Sequence, residues 1–282
     1  MNIDFIKLHT CSNDFILVDA SRQELPAEGE LQRFASLACH RHQGIGANGV
    51  VTLRREKECV RMRLFMPNGD ETDIGNDALL CVGRYAFDSG ILGRNDLSVE
   101  GGLGTRNLQA VDSKHFRLRI GMPYTFPDGE ELRELPDEEY VSPLVIQGKR
   151  IPTTPVNIQR NFAVVFDYPE RKAEARRLSR EIASKLRPTA PVCPAFVRVY
   201  SREEIAMVRY SRKRPVDNGS MASAATVAAV VNGFADRYVE VHCDGGSLFV
   251  QWLDRDNTVY VTGTAEYAFS GSYYFEERRS AL

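Results

Sequence analysis

Between Asn218 and Phe234 the chain reads Asn-Gly-Ser-Met-Ala-Ser-Ala-Ala-Thr-Val-Ala-Ala-Val-Val-Asn-Gly-Phe. Asp217 or Asn218 can cap the start of a helix there, and Asn232-Gly233 can close it in a left-handed turn. Almost every side chain between these ends is small and apolar or β-branched. A helix of this composition has no solvated side, so the rest of the chain must enclose it with a sheet or a second helix layer. Gly75–Gly90 repeats the design: Gly75 and Asn76 open an apolar helix and Gly90 ends it. Two such helices, one in each half, suggest an internal duplication. They are either two ordinary core helices or two polar, Gly-rich helix starts that face one site. In the second case backbone N–H groups and the helix dipole would bind an anion between them.

Most of the remaining chain has strand character. Asp4–Ala20 alternates as a strand, a polar turn at Thr10–Asp14 and a second strand. Helical spacing is predicted over Glu30–Cys39 and Arg171–Leu186. Short strands are predicted at Val50–Leu53, Arg61–Met66, Leu97–Glu100, Thr105–Val111 and His115–Ile120. After an acidic, Pro-containing linker over Pro123–Glu139 they resume at Leu144–Ile151, Pro155–Ile158, Phe162–Phe166, Phe196–Tyr200 and Ile205–Tyr210. They continue through Tyr238–His242, Ser247–Trp252 and Val259–Thr262 to a closing strand pair over Ala265–Phe275. Many short strands around one apolar helix per half predict an α+β fold, with sheets wrapped around helices and without βαβ units.

The 282 residues suffice for about two domains. A hydrophobic fraction of 43% and a charged fraction of 26% are those of a globular protein. A formal charge of −2 gives no electrostatic case for nucleic acid or an acidic membrane as partner. The run of about 20 apolar residues that a membrane-spanning helix needs does not occur, and Met1-Asn2-Ile3-Asp4 does not read as a signal peptide. The cysteines at 11, 39, 59, 81, 193 and 243 show no Cys-x-x-Cys spacing. A reducing cytoplasm is therefore the expected location, with no disulfide framework and no metal site.

Several blocks, in order, resemble the diaminopimelate epimerase family. Lys7–Asp19 resembles its His-Gly-x-Gly-Asn-Asp-Phe opening, and Gly44–Gly49 its Gly-Ile-Gly-x-Asp-Gly loop. Asn68–Glu71 resembles its Asp-Gly-Ser-Glu turn, while Gly245–Leu248 and Val261–Glu266 resemble its closing segments. The resemblance implies two pseudo-symmetric domains, each a mostly antiparallel β-roll around a central helix. The expected boundaries are 1–122 plus 266–282, and 123–265. It also implies cofactor-independent proton transfer beside the carboxylate of a small amino acid or related acid. A second copy of the chain is the other expected partner.

The family pattern breaks where its chemistry lies. Its two acid/base cysteines precede the two central helices. Here Ile74 stands at or beside the first position and Asn218 at the second. The family's Glu-Arg-Gly-x-Gly-Glu-Thr run becomes Ser211–Val216, so the Glu for a substrate ammonium is lost and basic residues replace it. Asn13, Asn76, Asn161, Arg212, Asn218, Gly219 and Ser220 remain as a carboxylate-binding set. A proton acceptor is still required. Asp217, Asp73 and Asp77 flank the helix starts, and Cys11 lies in the turn beside Asn13. They are ranked in the order Asp217, Asp73, Asp77, Cys11, with helix capping as the competing role of each Asp. Two functions follow: an isomerase, epimerase or related lyase of small acids that does not use two thiols, or an inactive relative that binds a small anion or serves as a partner subunit.

Overall fold

The computed structural model describes residues 1–91, 96–102, 104–125, 129–132, 143–166, 170–186, 191–208 and 217–277. In chain order the first elements are β1 (Asn2–Thr10), β2 (Asn13–Asp19), α1 (Glu28–Cys39), β3 (Gly49–Arg55), β4 (Val60–Phe65), β5 (Glu71–Thr72) and α2 (Asn76–Asp88). Then come β6 (Asp96–Gly101), β7 (Gly104–Ala110), β8 (His115–Gly121), β9 (Leu144–Ile146), β10 (Lys149–Ile151), β11 (Thr154–Ile158) and β12 (Arg160–Val165). The last are α3 (Lys172–Leu186), β13 (Val192–Val199), β14 (Glu204–Val208), α4 (Asn218–Val231), β15 (Tyr238–Cys243), β16 (Gly246–Leu253), β17 (Thr258–Thr264) and β18 (Glu266–Tyr274). By contact density the chain divides into two compact units, Met1–Leu118 with Gly263–Leu282, and Arg119–Thr262.

In the first unit the strand order is β8-β7-β6-β4-β3-β2-β1-β18, with β5 beside β4. In the second it is β11-β12-β13-β14-β15-β16-β17, and β9 and β10 form a separate hairpin. The expectation that βαβ units would be absent fails. β2-α1-β3, β4-α2-β6, β12-α3-β13 and β14-α4-β15 each join parallel neighbours through a helix. The other described pairs of these sheets are antiparallel. The cause is geometric: a helix that crosses the face of a sheet returns the chain to a neighbouring strand in the same direction. Strand length and composition carry no record of that pairing.

In the first unit β2 is buried on both faces. Ile16 and Val18 join Phe34, Ala35 and Ala38 of α1 in one core cluster. The alternation of the strand turns Phe15 and Leu17 the other way, and α2 packs on β1, β2 and β7. A Cβ on Gly83 would meet the Leu108 side chain at 2.6 Å, so glycine there sets the close approach of α2 to β7. Each fully buried Leu of α2, such as Leu79 and Leu80, contributes about 1.5–3 kcal/mol of transfer free energy.

In the second unit α4 packs against β11, β12, β13, β14, β15 and β16, so strands enclose it. All of its residues are buried, as its composition requires. Gly233 ends it at φ 71°, and Phe234 N–H donates back to Ala229 O at 2.8 Å. α3 lies over Ala163, Val165 and Phe196 through Ala175, Leu178 and Ile182. The expected closing strand pair is a single strand, β18, along β1. Part of the expected linker is ordered in the second unit: Tyr124 bridges to Asn157 of β11.

Candidate functional site

Side-chain hydrogen bonds tie the start of α2 to the start of β2, and through it to the loop before β3. Thr10 pairs with Asn13, so Cys11 and Ser12 form a two-residue hairpin at φ 43° and 62°. That turn places Asn13, 2% exposed, at the first position of β2. Asn13 Nδ2 donates to Asp77 Oδ2 at 2.5 Å, and Asn13 Oδ1 accepts from Asn48 Nδ2 at 2.7 Å. Asn48 Oδ1 in turn accepts from the Arg41 guanidinium at 2.7 Å. Every donor in this relay points the same way, from a cation towards the buried carboxylate of Asp77. Aligned donors reinforce one another, and the helix N-terminus favours the same negative charge.

Arg41 and Lys7 also hold Asp14, at 2.7 and 3.0 Å. Burial works against the charged form of Asp14, but hydrogen bonds and charge from Arg41 and Lys7 outweigh it and lower the pKa. Asn76 is fully buried and its Oδ1 accepts from Arg106 at 2.6 Å. Thiol chemistry is suppressed in the neighbouring core. Burial, helped by the Asp14 charge, pushes Cys39 up to about 12. Cys81 rises well above its ordinary range through burial and then the Asp77 charge.

At the start of α4, Asp217 is the N-cap, and its Oδ1 accepts from Ser220 N–H at 3.1 Å. Ser220 Oγ donates to Gln159 Oε1 at 2.8 Å, and Gln159 Nε2 donates to Ile120 O at 3.1 Å. Gln159 sits at φ 60°, a left-handed conformation that a non-glycine residue adopts at a cost. Asn218, Gly219 and Ser220 are all buried. Asn161 Oδ1 accepts from Asn157 and its Nδ2 donates to Pro191 O.

The four candidate bases are thus separated by their surroundings. Asp217 caps α4, the competing role foreseen for it. Asp73 is exposed before α2. Asp77 is buried, inside the first turn and held by Asn13. Cys11 is buried at the strained turn. Arg212 lies outside the described residues. Ile74 is 5% exposed and packs on Gly101, where an added Cβ would lie 2.1 Å from Ile74 Cδ1. The sequence reading missed Asn48, Arg41, Arg106 and Gln159. Asn48 left a trace, because it stands where the resembling Gly-rich loop has Asp. Among the described residues one trio, Glu56, Cys59 and Glu100, has metal-capable atoms within 4.8 Å of one another. Arg61 already ion-pairs both carboxylates, at 3.2 and 3.7 Å. Among the described residues no helix is long and apolar enough to cross a membrane.

A β-rich α+β chain with these helices has the fold of known epimerases and racemases. A predicted epimerase of Pseudomonas aeruginosa matches with a TM-score of 0.67 at 14% identity, over 97% of this chain and 100% of that one. A probable proline racemase of Agrobacterium radiobacter K84, with bound carbonate, matches with a TM-score of 0.65 at 12% identity, over 99% and 94%. In sequence, the family model for diaminopimelate epimerase matches residues 5–125. The diaminopimelate epimerase of Pelotomaculum thermopropionicum is 32% identical over 95% of this chain and 98% of its own length. That of Desulfitobacterium hafniense is 30% identical over 95% and 97%. The chain belongs to the diaminopimelate epimerase family.

Proposed function

We propose that this protein is a cofactor-independent isomerase that moves a proton beside the carboxylate of a small amino acid or related acid, by a route other than two opposed thiols. Its two units then represent one duplicated plan, each built around a central helix. The observation that carries the reading is the relay from Arg41 through Asn48 and Asn13 to Asp77. A general base must be deprotonated and fixed in place, and the relay favours both conditions. Asp77 therefore replaces Asp217 as the first candidate for the base. Within each unit the start of the central helix, at Asn76 in the first and at Asn218, Gly219 and Ser220 in the second, is proposed as a carboxylate-binding end, since its dipole favours an anion. Ile74 and Asn218, at the positions that the resemblance assigns to the two thiols, set this chain apart within its family.

The measurement is incorporation of solvent deuterium at Cα, across a panel of amino and hydroxy acids. Turnover of at least one acid is expected, with a loss of about 100-fold or more in Asp77→Asn, the usual scale for removing a general base. Asp217→Asn should retain activity, because Asn caps as well as Asp. Exchange that survives Asp77→Asn would move the base elsewhere. A second reading, an inactive relative that binds a small anion or a partner subunit, draws on Ile74, whose alkyl side chain fills a close-packed seat. A panel in which no acid exchanges would favour it.

A further inference from the structure

β7 turns an arginine towards the core. Leu108 and Ala110 of this strand are buried, and Leu108 lies against Gly83 of α2. Side chains two apart on a strand share a face, so Arg106 points the same way. Its neighbour on β6 agrees: Arg106 pairs with the fully buried Val99, as Leu108 pairs with the buried Leu97. Thr105, Asn107 and Gln109, on the other face, are exposed. Arginine is rare on a core face, because its charge is costly to bury unless something there answers it.

The guanidinium reaches the first residue of α2. Arg106 Nη2 donates to Asn76 Oδ1 at 2.6 Å, and Asn76 is fully buried. A guanidinium has donors only, so the bond fixes which end of the Asn76 amide faces it and holds the cation at the helix start. The two central helices differ here. The N-cap of α4 is Asp217, whose carboxylate accepts from Ser220 N–H. The N-cap of α2 is Gly75, which has no side chain to offer. Where the second unit caps its helix with its own carboxylate, the first has a guanidinium at the helix start.

We propose, on the reading above that a carboxylate binds at this helix end, that Arg106 is the side chain that selects it over an uncharged group. A guanidinium offers parallel N–H donors that match the two oxygens of a carboxylate, and the bonds are strengthened by charge on both sides. A primary amide of the same shape presents one acceptor oxygen and no charge. The demand on Arg106 grows during reaction. Removing the proton beside a carboxylate puts a second negative charge on the resulting enediolate. A cation already in place stabilises that charge without reorganising.

The probes are small α-amino and α-hydroxy acids and their primary amides, titrated against the full chain and followed by NMR shifts of its backbone amides. Wild type should bind at least one acid about 10–100-fold more tightly than the matching amide, the scale of a hydrogen bond to a charged group. Arg106→Gln should lose that preference by weakening the acid and leaving the amide unchanged. Arg106→Gly should regain the acid when millimolar guanidinium chloride is added, and not with sodium chloride at equal concentration. That rescue separates lost recognition from a disturbed fold. Acids bound no better than amides by wild type, a preference that survives in Arg106→Gln, or an Arg106→Gly variant that guanidinium does not rescue would each overturn the proposal. Binding is read without turnover, so the two readings fail separately. A chain that prefers the acids through Arg106 yet exchanges none at Cα would sink the isomerase reading and leave this one standing. Exchange that runs as fast in Arg106→Gln as in wild type would do the reverse.

Discussion

The side-chain amide of Asn13, at the start of β2, donates to the buried carboxylate of Asp77 in the first turn of α2, 2.5 Å away. Removing the amide leaves a buried charge and the Asn48 amide each short of a partner. Asn13→Ala should therefore lower the unfolding free energy by about 1–3 kcal/mol. Asn48→Ala, one step further from the charge, should cost less. Urea denaturation of both variants measures the difference. An Asn13→Ala cost no larger than that of an ordinary surface substitution would mean that the relay does not support Asp77.

Asp14 gives a pH signature. Its folded pKa lies below the ordinary 3.8, because Arg41 and Lys7 overcome the effect of burial. The stability it contributes is fully present above the unfolded value and is lost as pH falls through the lower folded value. Arg41→Gln should cost about 1 kcal/mol near neutral pH, since Arg41 is half exposed and screened. The part of that cost that comes from Asp14 should be lost as pH falls through its folded value, leaving the part due to the hydrogen bond from Arg41 to Asn48. A gap that does not shrink in acid would trace the whole loss to that neutral hydrogen bond or to packing, and not to the charge on Asp14.

Gln159 holds a strained backbone in exchange for two side-chain hydrogen bonds. Gln159→Ala keeps the strain and loses both bonds. Gln159→Gly also loses them but relaxes φ 60°. The Gly variant should therefore be the more stable of the two, by about 1 kcal/mol. Thermal unfolding ranks them, and Ala equal to or above Gly would show that the conformation is unstrained.

What the sequence revealed was local. The ends of α4 were legible because Asp217, Asn232 and Gly233 are short-range signals, and burial of the helix followed from its composition. The strands around it were legible one by one. Their parallel pairing was not, because each crossover joins residues that no local pattern links. The same holds in the site. Asp77 and Asn13 were each singled out, but the bond between them spans 64 positions. Gln159 gave no signal: its place beside Ser220 depends on a left-handed turn for which its residue type shows no preference.

Returning a thiol to position 74 should not return thiol chemistry. Ile74 fills an apolar seat against Gly101, and a cysteine there would inherit that seat. Burial disfavours the thiolate, as it does for Cys39, pushed up to about 12, and for the fully enclosed Cys81. Ile74→Cys should thus stay protonated and slow towards a disulfide reagent at neutral pH. It should react only on unfolding, after subtraction of the wild-type cysteines. The lost alkyl packing should cost roughly 1–2 kcal/mol. The stability loss and the unreactive thiol have one cause, a seat shaped for a hydrocarbon, so they should appear together. A new thiol that reacts as fast as an exposed cysteine would show that position 74 opens to solvent. The case against a two-thiol route would then rest on Asn218 alone.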